Sequence, residues 1–169
     1  MIALSLPNKK EFMQSLLCST VFDDFLLSEA ALHTFVSYTI DGHLNRDFFE
    51  SDEDTDDCSV LADTSIVPFA KIRPILFSLI KGKRTPLAFR FVLQLPEEHK
   101  KQVLAQSSAA FSPDDVTGIF FNILFQDNRL TATTGLSYRS FLPDKSLEQE
   151  WDRLILSFLS RHHITYEVL

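Results

Sequence analysis

The sequence predicts an α+β domain: an antiparallel sheet built from hairpins, with helices packed on one face. Three observations carry that expectation. Residues 117–137 read as two strands sharing one apolar face, Leu87–Leu95 alternates as a half-buried strand, and four stretches opening near Asn8, Pro68, Pro96 and Ser146 carry helical signals.

The elements follow in chain order. Asn8 with Glu11 three residues on resembles a capping box, and Phe12, Leu16 and Leu17 follow at helical spacing, so a helix is expected over 9–18. Phe22–Ala30 fits neither the helical nor the strand period. Residues 31–40 are rich in Thr, Val, Phe and Tyr and end at Asp41-Gly42, a hairpin-turn signal with a strand expected on each side. Residues 50–63 read as a flexible acidic loop. Pro68–Lys81 reads as a helix that Pro74 kinks or restarts, with Gly82 just past its end. Leu87, Phe89, Phe91, Leu93 and Leu95 then point one way, while Ala88, Arg90, Val92 and Gln94 point the other. Pro96 opens a further helix with Glu97 and Glu98 in its first turn, where carboxylates suit the helix dipole.

The second hairpin is the most specific expectation. With Asp127-Asn128 as a two-residue turn, Phe125 faces Leu130, Ile123 faces Ala132, Phe121 faces Thr134 and Ile119 faces Leu136. The other face sets Phe120 against Gly135, and a one-residue slip would send the apolar set into water. Ser146, with Gln149, then caps a last helix whose stripe is Leu147, Trp151, Leu154, Phe158 and Leu159. No internal repeat is visible, and 169 residues suit one domain over 1–169.

Composition removes several functions. The four glycines lie no closer than 17 residues apart, so the paired-glycine phosphate loops and the nucleophile elbow are absent. Two cysteines cannot build a four-Cys zinc site or an iron–sulfur cluster, and reduced thiols are expected. No cofactor or metal is expected. No stretch approaches 18 consecutive apolar residues and no secretory signal opens the chain, so a cytoplasmic setting without a membrane partner is expected. The net charge of -7 is local: six acids between 50 and 57 account for all but one unit of it.

Candidate chemistry is sparse. Asp52, Asp54, Asp56 and Asp63 mimic part of a calcium loop, but Asp57 stands where the sharp turn needs Gly, so a solvated acidic loop is the favoured reading. Residues 64–96 hold six bases and no acid; among them Lys81, Lys83, Arg84 and Arg90 form a candidate nucleic-acid contact, with Phe89 and Phe91 interleaved. Asn122, Thr131, Thr133, Ser137 and Arg139 form a candidate ligand face. His162-His163 lacks metal-ligand spacing, and His33 with Ser37 carries no nucleophile signature.

Several segments together look like an uncharacterised bacterial domain-of-unknown-function family: Met1–Leu4, Phe22–Ala30, Thr39–Asn45, Lys81–Pro86, Thr133–Ser137 and Asp144–Glu148. The resemblance spans nearly the whole chain and implies a bacterial cytoplasmic setting, with no activity, catalytic residue or cofactor. The sequence therefore reads first as a non-catalytic domain acting through protein contacts, with a protein partner or a homodimer. The alternatives are a nucleic-acid-binding module on the basic 71–90 segment, and a small-ligand binder or enzyme on the polar hairpin face.

Overall fold

A computed structural model describes residues 1–48, 64–107, 114–140 and 144–169. The acidic loop, the calcium-like carboxylates and Cys58 lie outside those residues. Seven strands form one antiparallel sheet: β1 (Ala3–Ser5), β2 (Leu26–His33), β3 (Ser37–Asp41), β4 (Ala88–Gln94), β5 (Val116–Gln126), β6 (Arg129–Tyr138) and β7 (Glu167–Val168). Their order is β3-β2-β4-β5-β6-β1-β7. Among the described residues four α-helices accompany them: α1 (Lys9–Leu17), α2 (Phe69–Ile80), α3 (Glu97–Gln106) and α4 (Ser146–Arg161). This is the expected α+β architecture.

The long hairpin has the register that the apolar pattern dictates. Phe125 pairs with Leu130, Ile123 with Ala132 and Phe120 with Gly135. Asp127 and Asn128 both have positive φ, 50° and 58°, as the two-residue turn of a twisted hairpin requires. Phe120 does not cover Gly135, however. Its ring lies back along its own strand, where a Cβ on Gly118 would meet ring atoms at 2.4 Å.

One face of the sheet carries Leu27, Phe91, Leu93, Ile119, Phe121, Ile123 and Ala132, all buried in one cluster with Phe12 and Leu16 of α1, Leu76 of α2, and Trp151 and Ile155 of α4. Phe22 sits among Phe12, Phe25, Phe121 and Phe158, with ring centroids 5.3–6.3 Å apart. Much of the large phenylalanine content thus serves a single core. The two buried polar residues there, Lys100 and Thr134, have partners. Lys100 Nζ donates to the Val116 carbonyl at 3.0 Å, and the Thr134 hydroxyl accepts from Ile2 N–H at 2.8 Å while donating to Asp152.

Five local expectations are corrected. The hairpin turn is Thr34–Val36, not Asp41-Gly42. Gly42 instead ends β3 so tightly against β2 that a Cβ would stand 1.7 Å from the Leu27 carbonyl oxygen, and its N–H donates to Ser28. Asn8 donates its amide to the Glu11 carboxylate rather than capping a backbone N–H. Ser146 lies inside α4, and the Asp144 carboxylate accepts its N–H at 2.7 Å, which holds that carboxyl below the usual range. Ile155 takes the buried place expected of Leu154, which is half-buried with Phe158. Leu87 precedes β4 and is exposed.

Candidate functional site

One end of the sheet gathers the β2–β3 tip, the β5–β6 turn, the start of α1 and the chain from Lys81 to Leu87. The antiparallel pairing fixes this. His33 pairs with both Ser37 and Ala88, Ala88 pairs with Gln126, and Lys9 Nζ donates to the carbonyl and side-chain oxygens of Asn128 at 2.9 and 2.8 Å. Between α1, the end of α2 and the 81–86 turn lies a groove of about 630 Å³. That is within the size range of small-ligand sites.

Its floor is an extension of the core. Phe89 and Phe125 stack there with centroids 5.2 Å apart, beside Met13, Leu17, Ile80 and Leu130. Its rim is basic: Lys9, Lys10, Lys81, Lys83 and Arg84 line it, and among the described residues no carboxylate does. Lys10, Lys81, Lys83 and Arg84 make no ion pair with any described residue. Such cations keep their full capacity to meet an anion, next to apolar surface that excludes water from one side.

A model of a family of unknown function, DUF5721, matches residues 15–167. The chain belongs to DUF5721. The match covers most of the segments that carried the family resemblance, and it brings no activity with it. No curated protein and no solved structure matches this DUF5721 chain.

The structure divides the residues singled out in the DUF5721 sequence differently from their order along the chain. Lys81, Lys83 and Arg84 come together at the groove. Arg90 does not join them: β4 alternates, so Arg90 points to the opposite face, where it pairs with Glu29 of β2. Phe89 and Phe91 are buried, so they offer no stacking surface to bases. On the open face, Arg90, Asn122, Leu124, Thr131 and Thr133 surround a smaller hollow of about 280 Å³. Ser137 lies farther along β6, accepting from Thr117 at 2.7 Å, and Arg139 lies beyond the strand with its N–H donating to Asp115.

Lys9, Lys10, Met13 and Leu17 were not among the sequence candidates. The signal was present, because Lys9, Met13 and Leu17 recur every four residues and share one side of α1, offset from the Phe12–Leu16 core stripe. Elsewhere, His33 Nδ1 and Ser37 Oγ lie 2.9 Å apart across the exposed hairpin. At the far end of β3, Asp41 accepts from the His43 N–H and lies 2.5 Å from its ring, and these contacts lower its carboxyl pKa. Among the described residues no cluster of His, Cys, Asp or Glu could hold a metal ion, and no helix is long and apolar enough to cross a membrane.

Proposed function

We propose that this chain is a non-catalytic binding domain whose working site is the groove between α1, α2 and the 81–86 turn. The partner presents negative charge and apolar surface together. The observation that carries this is the five-cation rim over a floor of aromatic and aliphatic side chains, with no carboxylate among the described residues of the lining. Among the described residues the lining also has no imidazole, the commonest general acid–base group, which supports a binding role. A homodimer joined through this end would set five cations against five, which disfavours self-association there. Nucleic acid would satisfy the rim and leave the apolar floor unused.

Cys18 lines the groove and is exposed, so it reports occupancy. Dodecyl phosphate, kept below its micelle concentration, is expected to slow alkylation of Cys18, followed by peptide mass mapping. Inorganic phosphate at the same concentration is expected to have little effect. Equal protection by both, or protection undiminished in Lys83→Glu/Arg84→Glu, rejects the groove as an amphiphile site. A single-stranded oligonucleotide that protects Cys18 better than dodecyl phosphate at low salt moves the reading to nucleic acid.

A further inference from the structure

The turn that walls the groove also walls a second hollow. On the far side of Lys81–Pro86, a space of about 360 Å³ lies between the turn, Thr34, Phe35 and Leu87. The Leu87 N–H donates to the His33 carbonyl at 2.8 Å, so the β2–β3 tip and the segment entering β4 are held side by side. Phe35 is 91% exposed and Leu87 75% exposed, with Val36 next to Phe35 also in solvent. Lys81, Lys83 and Arg84 line both hollows, and neither lining includes an acid among the described residues.

Large apolar side chains standing clear of the surface, beside cations without partners, are the two signals that together hold a protein on a charged lipid interface. The rest of the end keeps that charge. The β5–β6 turn contributes Asp127 and Arg129, one of each sign, and Glu11, hydrogen-bonded to Asn8, adds a single negative charge against the five cations of the groove. The opposite end of the strands is mixed, with Asp41, Glu97, Glu98, Asp114 and Asp115 beside Arg46, Lys100, Lys101 and Arg139 and with Glu97 paired to Lys100, so the basic Phe35 end is the one that an anionic surface would attract.

We propose that this end docks on an anionic lipid bilayer, with Phe35 and Leu87 entering the headgroup region while Lys81, Lys83 and Arg84 meet lipid phosphates. The proposal rests on the reading of the groove cations as anion receptors and names the surface that supplies the anions. Phe35 and Leu87 project as tips. A folded protein would need a matching cavity for each, whereas a fluid interface accommodates them as they stand. A contact of this kind lies on the membrane and needs no spanning helix, so it replaces the expectation, drawn from hydropathy alone, that no membrane takes part.

The test is co-sedimentation of the full chain with large vesicles, either of phosphatidylcholine alone or of an equimolar mixture with phosphatidylglycerol. Binding to the mixed vesicles only, falling as salt rises, is expected. Phe35→Ser/Leu87→Ser is expected to lower the partition coefficient about tenfold, and Lys83→Glu/Arg84→Glu to abolish binding. All four side chains are exposed, and circular dichroism checks that both variants stay folded. Equal binding to both vesicle types, or no effect of Phe35→Ser/Leu87→Ser, overturns the proposal. Protection of Cys18 by monomeric dodecyl phosphate without vesicle binding removes the bilayer and leaves the groove reading standing. Failure of both removes both. An acidic amphipathic peptide that binds where vesicles do not assigns the end to a protein partner and also overturns the bilayer.

Discussion

The groove and the open-face hollow lie on opposite sides of the same strands, and they differ in whether their polar groups are already satisfied. In the hollow, Arg90 is paired with Glu29, Asn122 donates toward Thr133 at 3.4 Å, and Thr131 donates to the Leu124 carbonyl at 3.5 Å. Such a face is stable as it stands in water. In the groove, none of the five cations has a carboxylate partner among the described residues, and the surface beneath them is apolar. Polar residues that answer one another make a sheet face. Cations without partners, held over a hydrophobic floor, leave binding capacity unspent.

The strongest way to break this comparison uses two neighbours on β5. Phe125 is buried under the groove and Leu124 faces the hollow, partly exposed. Phe125→Ala removes the stack with Phe89 and is expected to cost about 3–5 kcal/mol. Leu124→Ala should cost less than about 1 kcal/mol, since most of its transfer energy is not realised. Urea unfolding of the two variants measures both. Similar losses would mean that the hollow is as much a part of the core as the groove floor is.

Next in size is the ligand response. Lys83→Glu/Arg84→Glu is expected to weaken dodecyl phosphate protection of Cys18 by at least about tenfold, since two attractive charges become repulsive. Asn122→Ala/Thr133→Ala should leave it unchanged. Protection lost in the second variant and kept in the first would exchange the two sites.

These contrasts also show what a single sequence reveals. The long hairpin was legible because period-2 alternation on both strands, a two-residue Asp-Asn turn and a one-residue slip penalty agree on one register. Four helices were legible from spacing and punctuation. The β2–β3 turn was not, because Asp41-Gly42 has the composition of a hairpin turn while Gly42 is needed for close approach to Leu27, and composition does not distinguish those uses. The groove was half legible. Lys81, Lys83 and Arg84 are adjacent in the chain, but their joining with Lys9 and Lys10 depends on β5 and β6 turning at the end where α1 starts. Arg90 was misplaced beside them because a run of bases along the chain ignores which face a strand residue takes.

A smaller effect separates an exposed ion pair from a free one. Arg90→Ala breaks the pair with Glu29, whose side chains are 50% and 40% exposed, so solvent screening holds the loss below about 0.5 kcal/mol. Vesicle binding should be unaffected, because Arg90 lies on the other face. A drop in vesicle binding would extend the anionic contact around the sheet edge and dissolve the two-sided picture.

A last contrast concerns a polar group of β6 that no described residue answers. The Tyr138 hydroxyl is buried without a hydrogen-bond partner among the described residues, and burial, then Glu148 and Asp144, raise its pKa above the ordinary 10.0. The folded protein therefore keeps this proton while the unfolded chain begins to lose it. Stability contributed by the group is fully present below pH 10 and falls as pH rises through the raised value. In a phenolate absorbance titration, one component should ionise late and disappear in Tyr138→Phe. That variant removes an unanswered hydroxyl and keeps the ring, so stability at neutral pH should hold or rise by up to about 1 kcal/mol. A loss of that size would instead mean that the hydroxyl has a partner in the folded protein, and β6 would then be as fully satisfied at this end as it is beside Asn122.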